Sequence, residues 1–205
     1  MAETLHWTPL SAWAGIARSG TFGAAGRTGV VATLLGGYGL ASLIVPPDGS
    51  EALARHVEQA LALTLPATPR IVSGPAGDAI WTGPGQWLLR TPSREQMASL
   101  IALLSPETAV SDQSDARAAL RLSGWQVRDA LAKGVMIDLH PAAFPVGAAA
   151  ATSVAHLGVN LWRLPDEADG PVFEIMVARS FAGSFWSWFA ASAAEFGCRV
   201  DDGRG

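Results

Sequence analysis

The pattern of hydrophobic and polar positions divides most of the chain into short strands and short helices. The segment AALRLSG at residues 118–124 alternates between apolar and polar positions, which is typical of a strand with one buried face. Apolar side chains instead recur at helical spacing at Met97, Leu100, Ile101 and Leu104. The two periods together predict a protein that contains both strands and helices.

Further strands are predicted by short apolar runs that end at turn residues. The run VVATLLGGYGLASLIV at residues 30–45 contains no charge and predicts two strands joined at GGYG. The segments DAIWTG and QWLLRTP flank Pro84–Gly85 and predict a hairpin. The segment TAVSDQS is expected to be extended. Three later strands are predicted at AATSVAHL, VNLWRL and FEIMVA.

Four helices are predicted, each with a polar residue where it begins. A Ser or Asp followed three residues later by Glu or Gln can bond the free N–H groups of a first helical turn. The pairs with this spacing are Asp48 with Glu51, Ser93 with Gln96, and Ser123 with Gln126. Ser180 is expected to begin the last helix, which Gly197 ends. Aromatic side chains recur along that helix, at Phe181, Phe185, Trp188 and Phe196.

The predicted elements follow the same order twice along the chain. Each series contains a Trp-bearing strand, a turn, a second strand and a helix that begins at Ser. The predicted fold class is therefore α+β, with two related strand-helix-strand-strand-helix halves. We expect an irregular N-terminal arm at residues 1–37, a first half at 38–115 and a second half at 116–205. The halves are expected to pack as one folding unit.

The low share of charged side chains bears on how the surface is used. Charged residues make up 16% of the chain, compared with roughly 25% in ordinary soluble domains, and the mean hydropathy is +0.26. A surface with few charges favours burial of large faces against other chains. A high alanine content lowers the charged share as well, so composition alone leaves both interpretations open.

Charge and spacing exclude several classes of function. The net charge is −4 and Lys and Arg are scattered, whereas nucleic-acid binding requires clustered cations. The single cysteine, Cys198, cannot form an internal disulfide or a cysteine-based zinc site, and we interpret it as a bystander thiol. The glycines between residues 20 and 29 lack the spacing of a phosphate-binding loop.

We expect no contact with a membrane. The charge-free run at residues 30–45 is shorter than the roughly 20 residues that span a bilayer. The N-terminus has no basic region ahead of a long apolar core, which a signal peptide would require. These features predict a soluble, cytoplasmic protein.

The polar cluster DQSDARAALRLSG, residues 112–124, is the first candidate for chemistry. Ser114 and Ser123 are candidate nucleophiles, but neither lies in a G-x-S-x-G turn, and Ser123 is already assigned to a helix cap. We therefore expect residues 112–115 to satisfy backbone donors where the chain crosses from one half to the other.

Asp138 and His140 form the second candidate, because residues two positions apart face the same side of a strand. Together with Asp112 or Asp115 they could form a metal site or a base with an orienting group. The alternative, which we favour, is that His140 caps a loop before Pro141 by hydrogen bonding.

The eight tryptophans are a third feature, because the chain has only one tyrosine. Trp125, Trp186 and Trp188 are predicted to lie on or beside helices, where at least one must point away from the aromatic stripe. Trp186 is the best candidate for an exposed anchor at an interface, since Trp is enriched at interface hot spots. Packing of Trp186 in the core is the equally open alternative.

Several of these segments resemble the gamma subunit of heterotetrameric sarcosine oxidase. The resemblance lies in DQSDARAALRLSG, VRDALAKGVMIDLHPAAFPVG, VNLWR, FEIMVARSFAGSFWSWF and the upstream DAIWTGPGQWLLRTP. It covers roughly residues 38–197, and the block LAKG…IDLHP…FP.G is its most specific part. Gamma subunits of related N-methyl-amino-acid dehydrogenases are similar, so the substrate stays open.

The resemblance implies a folate-binding, aminomethyltransferase-like fold and a complex with alpha, beta and delta subunits. It implies that FAD, FMN, NAD and tetrahydrofolate bind in those partner subunits, and that this chain is not the catalytic one. The residues agree independently, because no flavin-binding dinucleotide motif occurs in the sequence. We therefore expect no catalytic, cofactor-binding or metal-binding residues in this chain.

The alternative function is a stand-alone folate-binding or aminomethyltransferase-like protein. It would require an acidic residue that binds the pterin and an aromatic wall beside it. Asp112, Asp115 or Glu174 could supply the acid, and Trp81 or Trp162 the wall.

Overall fold

The computed structural model describes residues 10–45, 51–106 and 108–203. Within these residues there are twelve strands: β1 (Gly20–Phe22), β2 (Val30–Leu35), β3 (Gly39–Ile44), β4 (Ile71–Gly74), β5 (Gly77–Gly83), β6 (Gln86–Thr91), β7 (Ala109–Asp112), β8 (Arg117–Ser123), β9 (Ala149–Val154), β10 (Leu157–Glu167), β11 (Gly170–Ala178) and β12 (Cys198–Gly203). The α-helices in the same part of the chain are α1 (Glu51–Leu61), α2 (Arg94–Leu104), α3 (Val127–Ala132) and α4 (Ala182–Ala193).

The strands form a larger and a smaller sheet. The larger sheet has the order β1-β12-β2-β8-β11-β10-β9, and all of its neighbours are antiparallel except β12 and β2, which are parallel. The smaller sheet has the order β4-β5-β6-β3-β7 and is antiparallel throughout. The hairpin predicted around Pro84–Gly85 is the pair β5–β6.

The same arrangement is built twice along the chain. From β3 to β7 the order is strand, helix, three strands, helix and strand, and the order from β8 to β12 is identical. The strand orders also correspond, β4-β5-β6-β3-β7 against β9-β10-β11-β8-β12, except that β2 lies between β8 and β12. The predicted α+β fold with two related halves is confirmed, and each half has one strand more than the sequence indicated, β4 in the first and β12 in the second.

Three groups of buried side chains connect the layers. Helices α3 and α4 cover the outer face of the larger sheet around Phe185. Helices α1 and α2 cover the outer face of the smaller sheet around Met97. The inner faces of the two sheets pack on each other through apolar side chains that include Leu40, Ile80, Leu88, Trp162 and Met176. The molecule therefore has two central sheets between two layers of helices.

Backbone hydrogen bonds also join the two sheets at one edge. Arg70 and Ala148 form an isolated antiparallel bridge. The Ile71 N–H donates to the Gly147 carbonyl at 2.9 Å, and the Ala149 N–H donates to the carbonyl of residue 69 at 3.0 Å. This edge belongs to both halves of the chain.

The expectation of an irregular arm at residues 1–37 is wrong for the part that is described. Strand β2 lies inside the larger sheet, where it pairs with β8 and β12. Its alternate residues Val30, Ala32 and Leu34 are buried, as the period of a half-buried strand requires. The N-terminal segment is thus part of the second half's sheet.

Two glycines of this segment are required by close packing. A Cβ at Gly23 would lie 2.1 Å from the Ala194 carbonyl oxygen, and one at Gly29 would lie 2.7 Å from that of Phe196. The glycines of the segment that was expected to be irregular therefore let it lie against the turn after α4.

Two of the predicted helix caps are wrong and one is confirmed. Ser93 begins α2, and its Oγ accepts the Gln96 N–H at 3.2 Å. Ser123 is instead the last residue of β8, paired with Val31, and α3 begins later with no side-chain cap. Ser180 lies in a 3₁₀ turn before α4 and does not cap it. The pair Asp48 and Glu51 lies outside the residues whose side chains are described.

Candidate functional site

The polar cluster at residues 112–115 lies where the chain leaves the smaller sheet and enters the larger one. The Ser114 N–H donates to Asp112 Oδ1 at 2.8 Å. Ser114 Oγ accepts the Leu40 N–H at 3.0 Å and donates to the Leu40 carbonyl at 3.3 Å. The Gln113 N–H donates to the same carbonyl at 2.7 Å. Ser114 is therefore engaged with the backbone of β3, as the sequence predicted for this crossing.

Asp115 forms an ion pair with Arg94 at the surface. Its carboxylate accepts hydrogen bonds from Arg94 Nη1 at 2.7 Å and Nη2 at 2.6 Å. The hydrogen bonds from Arg94 hold the pKa of Asp115 below its usual value. A carboxylate that is harder to protonate is a poor general base. We therefore assign Asp115 a structural role, in which its ion pair with Arg94 holds the chain where it crosses from one sheet to the other.

Asp138 and His140 stabilise a loop. The His140 N–H donates to Asp138 Oδ1 at 2.8 Å, and His140 Nδ1 accepts the Ala142 N–H at 3.3 Å. Among the described residues, no group of three or more His, Cys, Asp or Glu side chains is arranged to hold a metal ion. The interpretation of His140 as a loop cap is supported by these bonds.

A buried carboxylate lies between the two sheets and was not predicted as a centre of interactions. Glu174 on β11 is 0% exposed. Its Oε1 accepts from Arg121 Nε at 3.0 Å and Nη2 at 2.8 Å. Its Oε2 accepts from Arg90 Nη1 at 2.5 Å and from Trp162 Nε1 at 3.0 Å. Arg90 also donates from Nε to Asp78 Oδ2 at 2.8 Å.

Electrostatics stabilise the charged forms in this buried cluster. Burial lowers the pKa of Arg90, but attraction by Glu174 and Asp78 outweighs it and leaves the pKa raised. Burial raises the pKa of the neighbouring Tyr38 to about 12, with Arg90 opposing the shift. The phenol is therefore neutral near neutral pH. Two cations that flank one carboxylate offset the cost of removing these charges from water.

This cluster brings together Glu174 and Trp162, two of the residues that could have bound a pterin. Both carboxylate oxygens of Glu174 already accept hydrogen bonds from protein donors, and Trp162 is 0% exposed. Glu174 joins the sheets through Arg90, and neither Glu174 nor Trp162 has a free group for a ligand. The acids Asp112 and Asp115 lie at the crossing, bonded as described above.

Two clefts open at the surface near the start of β8. A cleft of about 630 Å³ lies between the N-terminal segment and the crossing and is lined in part by Trp13, Tyr38, Arg94 and Arg179. An open trough of about 640 Å³ lies on β9 and β10 and is lined by Arg117, Ala151, Thr152, Ser153, Gly158, Val159 and Asn160. Arg117 lines both.

Trp186 packs against the core and is not an exposed anchor. Its ring lies 6.1 Å from that of Trp13, 6.4 Å from that of Phe22 and 5.7 Å from that of Phe189. Trp125 is the more exposed indole, at 48%, with the Arg27 guanidinium 5.3 Å from its ring.

Sequence reasoning missed Arg90, Tyr38 and Asn160, and it did not connect Arg121 with Glu174. The available signal was the alternation of β8, which places Arg117 and Arg121 on the face opposite Leu120. A charged residue on a strand face that packs on a second sheet requires a partner, and the sequence does not say which one.

Comparison with known proteins identifies the family. The model of the sarcosine oxidase gamma subunit family matches residues 47–195. A sarcosine oxidase subunit gamma from Corynebacterium sp. strain P-1 is 33% identical over 74% of this chain and 73% of its own length. A subunit of the same name from Arthrobacter sp. is 39% identical over 53% of this chain and 56% of its own length.

Two solved structures are also similar to this chain. The heterotetrameric sarcosine oxidase from Corynebacterium sp. U-96, in complex with pyrrole 2-carboxylate, contains a chain that matches with a TM-score of 0.73 and 27% identity, over 84% of this chain and 87% of that one. The aminomethyltransferase T of the glycine cleavage system from Bartonella henselae shares the fold, with a TM-score of 0.59 and 14% identity, over 85% of this chain and 48% of that one.

None of the described helices has the length and apolar character needed to cross a membrane.

The family model covers more than half of the sequence, and the relative from strain P-1 exceeds 30% identity over most of both chains. The chain therefore belongs to the sarcosine oxidase gamma subunit family.

Proposed function

We propose that this chain is an accessory subunit of a heterotetrameric sarcosine oxidase-type complex and carries no catalytic residue of its own. The observation that supports this most directly is the match to a chain of a heterotetrameric sarcosine oxidase over 84% of this chain. The polar clusters at Ser114, His140 and Glu174 support the second part, because their hydrogen bonds go to the chain's own backbone and side chains.

The partners in this proposal are alpha, beta and delta subunits, and the complex demethylates sarcosine oxidatively in the cytoplasm. Oxidation of an amine requires an electron acceptor such as a flavin. We assign FAD, FMN, NAD and tetrahydrofolate to the partner subunits. The absence of a G-x-G-x-x-G motif from the sequence supports this assignment.

Co-expression with the alpha, beta and delta subunits of the same organism tests the proposal. An affinity tag on this chain is expected to recover all four subunits together with bound flavin, and the purified complex is expected to oxidise sarcosine. The isolated chain is expected to be colourless and inactive. Recovery of the tagged chain alone would contradict the proposal.

Titration of the isolated chain with tetrahydrofolate tests the alternative, a stand-alone folate-binding or aminomethyltransferase-like protein. The fold shared with an aminomethyltransferase motivates the measurement. We expect no heat of binding, because the oxygens of Glu174 are occupied by protein donors. Micromolar binding by the chain alone would favour the alternative.

A further inference from the structure

The inner face of the larger sheet carries two arginines on the same strand in different electrostatic situations. Arg121 lies opposite Glu174 in the pairing of β8 with β11, and the two form a salt bridge at 2.8 Å. Arg117 lies four residues earlier on the same face, because alternate residues of a strand share a face. Its neighbour on β11 is Ala178.

Arg117 has no carboxylate partner among the described residues. The nearest acid along the chain, Asp115, is bonded to Arg94 and lies 3.9 Å from Arg179. The salt bridges found in residues 10–45, 51–106 and 108–203 do not include Arg117. Its guanidinium lines the open trough with its hydrogen-bond donors available.

Asn160 provides a second polar side chain in the same trough. It lies on β10 opposite Met176 and Ala151, one row inward from Arg117. The residue as a whole is 9% exposed. Its side-chain amide makes no hydrogen bond within the described part of the chain, and it is not one of the buried unpaired groups, so it is open to the trough. The amide is therefore available to bond an incoming group beside Arg117.

The chemistry of the trough selects the ligand. A guanidinium presents paired N–H donors that match the two oxygens of a carboxylate, and an amide N–H can add a third bond. The floor is small and apolar, formed by Gly158 and Ala151, which are both exposed. Sites for small molecules bury about 70–90% of their ligand, whereas this trough is open and would leave a free acid mostly in water. A carboxylate on a protein surface fits better, because that surface closes the trough.

We propose that this trough binds an aspartate or glutamate side chain of a neighbouring subunit, with its carboxylate bonded to Arg117 and Asn160. This proposal rests on the proposed function, since it requires a complex. In this proposal, the inner face of β8, β9 and β10 is exposed at one end, and that end forms an interface with one of the larger subunits.

The first test is the assembly of the co-expressed complex with single variants of this chain. Arg117→Glu reverses the charge in the trough and is expected to speed dissociation of this chain from the complex by at least about tenfold. Arg55→Glu is the matched control, because Arg55 is exposed on α1 on the far side of the smaller sheet and the change in net charge is the same. It is expected to dissociate like the unmodified chain.

A second variant avoids a large change of shape. Asn160→Asp preserves the size of the side chain and places a carboxylate beside Arg117, where it competes with the partner's acid. We expect faster dissociation with an unchanged melting temperature of the isolated chain. Benzoylphenylalanine at position 151, an exposed residue of the trough, is expected to cross-link to a partner peptide that contains Asp or Glu.

The outcomes separate this proposal from the proposed function. If the unmodified chain does not assemble, the proposed function fails and this proposal fails with it. If the chain assembles and Arg117→Glu dissociates no faster than Arg55→Glu, only the trough proposal is overturned. It is also overturned if the cross-linked peptide has no acidic residue. Acetate binding to the isolated chain that requires Arg117, with assembly unaffected by Arg117→Glu, would assign the trough to a free carboxylate instead.

Discussion

Glu174 receives hydrogen bonds from three side chains, and two of these are cations that reach it from different strands. Arg90 comes from the smaller sheet, while Arg121 and Trp162 come from the larger one. One carboxylate thus connects the two sheets beside the apolar side chains of their interface.

Replacing Glu174 by Gln is expected to destabilise the fold, because Arg90 and Arg121 would lose their counter-charge. Breaking a buried pair costs about 3–5 kcal/mol. We expect the lower end of that range, since the side chain of Arg121 is 41% exposed and stays hydrated. The free energy of unfolding in urea measures the loss.

Glu195→Gln is the matched control for Glu174→Gln. Glu195 pairs with Lys133 at 3.0 Å, but its side chain is 59% exposed. Exposed pairs contribute about 0–1 kcal/mol. Equal losses for the two variants would show that the buried cluster is not a source of stability.

Cys198 is a buried thiol with low reactivity. Burial raises its pKa to about 12, and thiolates rather than thiols react with disulfide reagents. At pH 8 we expect Ellman's reagent to label the folded chain far more slowly than the chain unfolded in guanidinium chloride. The chain has one cysteine, so the signal has one source. Equally rapid labelling of the folded and unfolded chains would contradict the conclusion that the Cys198 thiol is buried and unreactive.

The same shift makes stability depend on pH. The folded thiol stays protonated while the unfolded one ionises above about pH 9. The contribution of Cys198 is therefore complete below pH 9 and falls as the pH rises towards 12. A Cys198→Ala variant is expected to lose less stability over that range than the unmodified chain, as measured by urea unfolding at each pH.

At the scale of elements, β2 is the strand whose position matters most. It lies between β8 and β12 in the larger sheet, although it comes from a glycine-rich N-terminal segment. The first half has no equivalent strand, because β3 and β7 pair directly. The insertion therefore distinguishes the two otherwise similar halves.

Ala32→Asp tests whether β2 is required for folding. Ala32 is 0% exposed, and an unpaired charge at a buried position is strongly unfavourable. We expect that circular dichroism will show no cooperative unfolding transition for this variant. Ala25→Asp makes the same change at an exposed position of the same segment and is expected to unfold like the unmodified chain. A folded Ala32→Asp variant would show that β2 is not required for folding.

Elements were predictable where the local pattern was strong. The hairpin β5–β6 and the strands β8 to β11 follow from alternation and turn residues, and α2 follows from its apolar stripe and its Ser93 cap. The strands β1, β4 and β12 were missed. The first two have only three and four residues, and the polar sequence of β12 hides its buried Cys198 and Val200.

At the scale of the whole molecule, the two sheets are expected to unfold together. They share an apolar interface, the Glu174 cluster and the Arg70–Ala148 bridge. Hydrogen exchange followed by mass spectrometry is expected to give the same opening free energy for β5–β6 as for β10–β11. Faster exchange throughout the smaller sheet would show that the halves are separate folding units.

The sequence by itself determined the local periods, the order of most elements, the resemblance between the halves and the family. These properties depend on neighbouring residues, because side chains two apart on a strand or three to four apart on a helix share a face. The tertiary structure alone decided that β2 enters the larger sheet and that Arg90 meets Glu174 across 84 positions. The spacing of apolar residues shows which face of a strand is buried. It does not show which other strand will pair with that strand, or which carboxylate will meet its arginine. For the same reason, only the tertiary structure shows that Arg121 has an acidic partner within the chain while Arg117 lies opposite an alanine.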